Sequence, residues 1–402
     1  MGSDDTNSAA GEVALRTRAF VRDVVIPVER KLDGNVHDGP EDVRIALQDA
    51  ARAAGVFAPQ VPTDLGGLGL DRTAQSAVFE EAGYSLLGPL ALNCAAPDEG
   101  NLHLLGEVAS AEQKERYLRP LAAGAIRSCF AMTEPAPGVG SDPSMLRTRA
   151  EQLPGGDWSI TGRKWFITGG IGASVTICMA RTSGEPGDRR GATMFLIDRD
   201  SAGMSVERNI GTLDVSLFGG HAEIVFDDCR VGPDAVLGDV GRGFELAQVR
   251  LAPARLTHCM RWLGIARRSH EISMAWTQRR EAFGRPLREL GMIQQLVADS
   301  EIDITACRAL IRECAAQLDR GVEAGHLSSI TKTFVSEAVG RVVDRAVQIC
   351  GSLGVSEDVM LGRFLREVRP FRIYDGPSET HRWSVARRAI KAIDADAVLG
   401  HG

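Results

Sequence analysis

The sequence predicts an α+β fold in which a helical region, a β region and a second helical region follow one another. Three observations carry this. Apolar residues recur at helical spacing up to about residue 125, short β-favouring runs separated by turn residues fill the next stretch, and helical spacing returns beyond Gly243. The boundaries are drawn at 1–124, 125–238 and 239–402, and 402 residues at about 150 per domain leave room for two or three substantial cores.

After a polar lead through Ala10, Phe20, Val21, Val24 and Val25 predict a helix over 18–29, which Asp38-Gly39-Pro40 punctuates. Val43, Leu47, Ala50 and Ala54 recur at spacings of four, three and four before Gly55, the pattern of a helix with one apolar face and a stop residue. A Gly-rich loop, Val61 to Gly69, precedes a third helix carrying Val78, Phe79 and Ala82. Ser110 with Gln113 three residues on reads as a capping box. The β region rests on Trp158-Ser159-Ile160, Trp165-Phe166-Ile167, Val175-Thr176-Ile177 and Thr193 to Ile197, with Ala222, Ile224 and Phe226 alternating along a further strand. In the last region Ile304, Cys307, Ile311, Cys314 and Leu318 define a long amphipathic helix with Gly321 as terminator, and a further helix covers 333–350.

Composition excludes several function classes. The chain is 44% apolar and 25% charged with a net charge of -7, values of an ordinary globular protein rather than a disordered regulator. The acidic balance makes nucleic acid an unlikely partner, although Arg363, Arg366, Arg369, Arg372, Arg382, Arg387 and Arg388 form a local basic concentration. The eight cysteines are dispersed with no CxxC pair, which fits a reducing cytoplasm, and neither a secretory leader nor a membrane-length apolar run is seen. No G-x-G-x-x-G, P-loop, H-E-x-x-H or G-x-S-x-G pattern occurs, so a Rossmann site, ATP hydrolysis, a resident metal and a serine hydrolase all lack support.

Two loops have the composition of a site. Met132-Thr133-Glu134-Pro135 through Gly140-Ser141-Asp142 gathers short hydroxyls and backbone N–H groups, suited to hydrogen-bonding a cofactor ring or a phosphate, or simply forming a polar turn. In Ile373-Tyr374-Asp375-Gly376-Pro377, large side chains next to Asp375 could exclude water, which moves a carboxylate toward the working range of a base. Taken alone, the same Asp reads first as a helix cap before Gly-Pro and only second as a base.

These pieces occur in a fixed order together with Gly162-Arg163-Lys164-Trp165-Phe166-Ile167-Thr168, Arg280 through Gly284 and Gln348-Ile349-Cys350-Gly351. In that order the chain resembles an acyl-CoA dehydrogenase over nearly its whole length, and Asp375-Gly376-Pro377 is similar to the acyl-CoA dehydrogenase 10/11-like branch. The resemblance implies an N-terminal helical domain, a middle β domain, a C-terminal four-helix bundle and FAD as cofactor. It places Met132, Thr133 and Ser141 along the flavin and acyl-CoA region, with Phe166 against the isoalloxazine and Thr168 near its reactive edge. Arg280, Phe283, Gln348 and Gly351 would contact the adenosine and pyrophosphate of FAD held by a neighbouring subunit of a homodimer or homotetramer. For Arg280 a solvated helical charge is the alternative. Gly291 stands where many relatives have Gln, so one contact is missing, and Gln294 is a candidate replacement.

The family's base position holds Asp375, one methylene shorter than the usual Glu, a change of roughly 1 Å in reach. The other position some relatives use is Ala254, which cannot serve. Arg255 would hold the site or the CoA charge, or be a solvated structural Arg, and Tyr374, Ser141 and Gly376 complete the substrate contacts. The implied reaction removes the α-proton with Asp375 while the β-hydride passes to flavin, giving a trans-2-enoyl thioester. The carbonyl is polarised by an FAD ribityl hydroxyl and the Asp375 backbone N–H, and an electron-transfer flavoprotein collects the electrons. Two rivals share the scaffold: an oxidase of the nitroalkane-oxidase type, and a non-catalytic or DNA-associated flavoprotein.

Overall fold

Helical spacing in the first 125 residues produces α1 (Ser3–Phe20), α2 (Ile26–Lys31), α3 (Glu41–Ala53), α4 (Arg72–Ala82), α5 (Gly88–Ala91), α6 (Asp98–Val108), α7 (Ala111–Gln113) and α8 (Arg119–Ala122). The computed structural model describes residues 3–37, 39, 41–394 and 398–400, so Asp38 and Pro40 of the expected punctuator lie outside the described residues. A π-helical stretch, Val21–Val25, joins α1 to α2, and the helix expected over 18–29 is thus part of a longer one that begins at Ser3. From Ser3 the polar lead is helical, with no Pro or Gly between there and Ala10 to break it. The capping box at α7 is present in both directions: Ser110 Oγ accepts from Gln113 N at 3.2 Å, and Gln113 Oε1 accepts from Ser110 N at 3.1 Å.

The β region forms one sheet from β1 (Ser128–Ala131), β2 (Arg149–Gln152), β3 (Trp158–Thr168), β4 (Val175–Arg181), β5 (Ala192–Asp198), β6 (Met204–Asn209), β7 (His221–Val231) and β8 (Val236–Leu237), in the order β6-β7-β3-β2-β4-β5-β8 with β1 on β4. The runs at Trp158 and Trp165, separate in the sequence reading, are a single strand. Gly162 lets it pass Thr148, since a Cβ there would lie 2.7 Å from Thr148 Cα. Two register shifts against β7 mark irregularities in β3, one at Ile160 to Gly162 and one at Lys164 to Ile167. β6 escaped the sequence reading because it is an edge strand with mostly exposed residues, so no alternation of buried apolar positions reveals it. The core on the sheet includes Ile160, Ile167, Ile224 and Phe226, with Trp158 edge-on to Phe195 at 5.4 Å.

The chain divides into two units, Met1–Ala254 and Arg255–Gly402. Within the first, Gln113 Nε2 donates to the carbonyls of Asp234 and Val236, and Asn101 Nδ2 donates to Ser128 Oγ at 2.8 Å, so helices and sheet share polar as well as apolar contacts. The 37-residue α9 (Gly243–Arg279) begins in the first unit and runs into the second. It is followed by a hairpin of β9 (Glu281–Ala282) and β10 (Arg285–Pro286), then α10 (Gly291–Asp319), α11 (Gly325–Cys350), α12 (Leu361–Val368) and α13 (Ser378–Lys391). The α10 stripe of Ile304, Cys307, Ile311 and Cys314 is buried as its spacing requires. Asp303, on the same helix, is clamped by Arg341 and Arg345 of α11 at 2.6 and 2.8 Å. Among the described residues no helix is long and apolar enough to cross a membrane.

Arg181, at the end of β4 and only 1% exposed, organises two loops at once. Its guanidinium donates to the carbonyls of Ser144, Leu146, Ser183, Asp188 and Arg190. Arg181→Met keeps the stem and strands five acceptors, so we expect a loss of about 3 kcal/mol in chemical denaturation. A change within about 0.5 kcal/mol would show that the loops find other partners.

Candidate active site

In the first unit, the Met132 to Asp142 loop is fixed by a buried ion pair. Lys164, fully buried on β3, donates to Glu134 Oε1 at 2.8 Å and to the Met132 carbonyl at 3.0 Å. The Glu134 carboxylate also accepts from the backbone N–H groups of Arg147 and Thr148 and from Thr148 Oγ1. Burial pushes the Glu134 carboxyl up, but Lys164 and the Thr148 hydrogen bonds outweigh it and hold the group below the usual range. Thr133 completes the anchoring: its hydroxyl donates to the Trp165 carbonyl at 2.6 Å, and its own carbonyl accepts from Trp165 N.

This anchoring bears on the strand irregularity at Trp165 and Phe166. Phe166 has φ +51°, in the left-handed region that non-glycine residues seldom occupy, and lies within the second register shift. It is 45% exposed and edge-on to Trp165 at 4.9 Å, a flat apolar face left open between the buried Lys164 and Ile167. Thr168, two residues on, is partly exposed, and its Oγ1 lies 3.1 Å from His221 Nδ1. An open ring, a hydroxyl and the Thr133 loop on one strand and its neighbour suit a planar, hydrogen-bonding cofactor such as a flavin. Met132 is partly buried beside them in sequence, whereas Ser141 is exposed on the loop beyond.

In the second unit the chemistry gathers around Asp375. This residue also has positive φ, +53°, and Gly376 follows at +95°. The Asp375 carbonyl accepts from Arg255 Nε and from His381 Nε2, both at 3.0 Å, and the Gly376 carbonyl accepts from Lys332 Nζ at 2.7 Å. A side chain at 376 would collide with His381, its Cβ falling 2.6 Å from Nε2. The Asp375 carboxylate lies with Oδ2 3.2 Å from His258 Nε2, and Arg261 lies 3.2 Å from the other ring nitrogen, Nδ1. Tyr374 shields this group: its ring is 5.0 Å from that of His258 and 5.6 Å from that of Phe371, and its hydroxyl accepts from Trp262 Nε1. Burial draws Lys332 down to about 8 and His381 down to about 4, in the latter case aided by the charge of Arg255.

Of the residues expected from the sequence, Arg255, Tyr374, Asp375 and Gly376 are thus brought together, as are Thr133 and the Phe166 to Thr168 strand. Arg255 reaches the Asp375 carbonyl, one of the roles left open above. Arg280, Phe283, Gln348 and Gly351 are exposed, on the β9–β10 hairpin and at the end of α11. Phe283 is 93% exposed with φ +52°, and Gly351, at +59°, has open space where a side chain would stand. Lys164 and Glu134 lay inside quoted motifs without a role. His258, Lys332, His381, His221 and Asp214 were missed, since nothing local in the sequence marks residues that meet only through the fold.

Three family descriptions match successive stretches: the acyl-CoA dehydrogenase N-terminal domain over 10–125, the middle domain over 129–229 and the C-terminal domain over 241–390. The chain is 38% identical over 327 residues to the Mycobacterium tuberculosis protein named Probable acyl-CoA dehydrogenase FadE2, covering 80% of each. The chain belongs to the acyl-CoA dehydrogenase family. It is also 33% identical over 395 residues to acyl-CoA dehydrogenase family member 11 of Gallus gallus, covering 94% of this chain but 50% of that longer one. Among solved structures it superposes on a Mycobacterium abscessus chain with a TM-score of 0.88 at 35% identity, covering 96% and 98% of the two. Butyryl-CoA dehydrogenase from Megasphaera elsdenii follows with 0.85 at 25%, covering 95% and 98%. The helical, β, helical fold is therefore that of the acyl-CoA dehydrogenases, and the protein is an oxidoreductase of that family.

Two outcomes follow from this geometry. Lys164→Met leaves the Glu134 carboxylate buried without its cation and should lower stability by about 3–5 kcal/mol in chemical denaturation, more than the double change Lys164→Met with Glu134→Leu. His381, with a folded value near 4 against an ordinary 6.5, binds its proton less readily folded than unfolded. Stability should therefore fall as pH drops from 6.5 to 4, on the order of 3 kcal/mol from this group, and His381→Gln should flatten that part of the stability curve.

Proposed function

We propose that this protein is an FAD-dependent dehydrogenase that introduces an α,β double bond into an acyl-CoA thioester, with Asp375 as the base. The observation that carries the reading is the Asp375 turn. A carboxylate is held on a strained backbone by three donors to adjacent carbonyls, with an aromatic layer of Tyr374 and Phe371 beside it. A base that must meet an α-carbon gains from a backbone that cannot relax, and the aromatic layer limits water around it.

Asp375 removes the α-proton and holds it on its carboxyl. The backbone N–H of the same residue donates to the thioester carbonyl, which makes that proton more acidic. Arg255 and His381 fix the orientation of both groups through the Asp375 carbonyl, and His258 sets the direction of the carboxylate. Phe166 lies against the flavin ring, Thr168 at its reactive edge, and Met132, Thr133 and Ser141 line the ring and the acyl-CoA. When bound, FAD supplies the two-electron acceptor for the β-hydrogen. Arg280, Phe283, Gln348 and Gly351 hold the adenosine and pyrophosphate part from a second copy of the chain, a reading supported by the 93% exposure of Phe283 and the open space at Gly351. An electron-transfer flavoprotein takes up the electrons.

Anaerobic spectroscopy of the flavoprotein with short, long, branched and hydroxylated acyl-CoAs tests this directly. Native protein should bleach with at least one class, and Asp375→Asn should slow bleaching by at least about 100-fold while keeping its FAD spectrum. Rapid bleaching in D375N would reject Asp375 as base. Rapid turnover with oxygen and no response to any thioester would favour an oxidase on the same fold.

A further inference from the structure

Behind Thr168 stand two polar side chains that the reaction above does not use. His221, at the start of β7, places Nδ1 3.1 Å from Thr168 Oγ1 and Nε2 3.1 Å from Asp214 Oδ2. Both are buried, at 7% and 3% exposure. The His221 backbone N–H donates to Asn209 Oδ1 at 3.0 Å, and the ring of His37 stands edge-on at 5.3 Å. Arg127, on the neighbouring turn, directs its guanidinium to the Ile171 carbonyl and to Glu41. Asp214 and His37 are thus the titratable partners of the ring seen among the described residues.

The direction of each hydrogen bond follows from the chemistry. Burial pushes the Asp214 carboxyl up, but hydrogen bonding and charge from His221, with help from Thr212, outweigh this and hold it below its ordinary value. An ionised carboxylate only accepts, so His221 Nε2 carries the proton. In a neutral ring Nδ1 is then an acceptor, and the Thr168 hydroxyl gives its proton to it. That leaves the Thr168 oxygen with lone pairs and no proton on its partly exposed side. A threonine serving only to mark an edge needs no buried Asp–His pair behind it, and such a pair is expensive to bury unless it is used or fully satisfied.

We propose that Thr168, His221 and Asp214 form a proton relay for the flavin edge, working when the reduced cofactor passes its electrons to a one-electron acceptor protein. This rests on the placement of Thr168 at that edge given above. As the electrons leave, Thr168 Oγ1 accepts the proton lost from flavin N5 and hands its own hydroxyl proton to His221 Nδ1. One N–H and one O–H bond break and one O–H and one N–H bond form. The ring becomes an imidazolium facing the Asp214 carboxylate and then releases a proton to water. His221 and Asp214 are positioning residues in this scheme, acting on the cofactor only through Thr168.

The test uses the holoprotein, reduced with dithionite and reoxidised by ferricenium in a stopped-flow instrument, in H2O and D2O. Native protein should show a normal solvent isotope effect. His221→Gln and Thr168→Val, each first shown to retain FAD and native melting, should reoxidise at least roughly tenfold more slowly, with the isotope effect changed. If Thr168→Val is slowed and His221→Gln behaves as native, the relay is wrong and the placement of Thr168 stands. If both behave as native, the placement itself falls and the relay with it. Independently of any reaction, the ring 15N shifts of His221 in native protein should report the Nε2–H tautomer, and Asp214→Asn should shift the population toward Nδ1–H. A native Nδ1–H tautomer would overturn the proposal even if no variant folds.

Discussion

The second unit is organised around one unfavourable conformation, the left-handed backbone at Asp375. An L-residue held there costs roughly 1–2 kcal/mol relative to its normal regions, so it persists only where the surroundings over-determine it. Here Arg255 and His381 both hold the Asp375 carbonyl, and Lys332 holds the next one. Lys332 is a costly partner, because burial disfavours its charged form and draws it down to about 8, whereas His381, drawn down to about 4, becomes costly only in acid. The return is a carboxylate whose backbone and neighbours are set before any ligand arrives. His258 lies against it at 3.2 Å, and the Tyr374 and Phe371 rings pack against His258 and one another.

The same device recurs in the first unit. Phe166 has φ +51° within a register shift, and the strand carrying it is tied to the Met132 to Asp142 loop by the buried Lys164–Glu134 pair and the two Thr133 to Trp165 hydrogen bonds. A regular strand would send alternate side chains to opposite faces. Phe166 would then share the face of the buried Lys164, and the irregularity instead leaves its ring exposed while Lys164 and Ile167 stay buried. Phe283, on the β9–β10 hairpin, is a third left-handed aromatic or acidic residue at a position expected to meet cofactor or substrate. Among the described residues, three of the seven left-handed non-glycine positions thus fall where the family resemblance assigns chemistry, while Asp33, Ala58, Asn93 and Asp228 lie elsewhere.

Much of this was legible in the sequence, for reasons that differ by element. The α10 stripe and the Ser110 capping box are local patterns, and local patterns survive folding. The division of β3 into two runs was misleading because Gly162 signals a close backbone approach to Thr148 as readily as a break. β6 carried no apolar alternation and could not be read. For the site, Asp375 and Phe166 were found through motif order, but their left-handed backbones were not, since neither residue type advertises positive φ. His258, Lys332 and His381 come from α9, α11 and α13 and meet one turn only through the fold. His221 likewise reaches Thr168 from outside its strand, with Asp214 behind it.

The central claim is that Asp375 takes a proton from the carbon next to a thioester carbonyl. The most direct measurement is loss of deuterium from C2 of a 2-deuterated acyl-CoA analogue that cannot be oxidised at C3, followed by NMR in H2O with native holoprotein and with D375N. Deuterium should wash out with native protein and be retained with D375N under conditions where both bind the analogue. Equal washout from the two proteins, or none from native protein with any bound thioester, would contradict it.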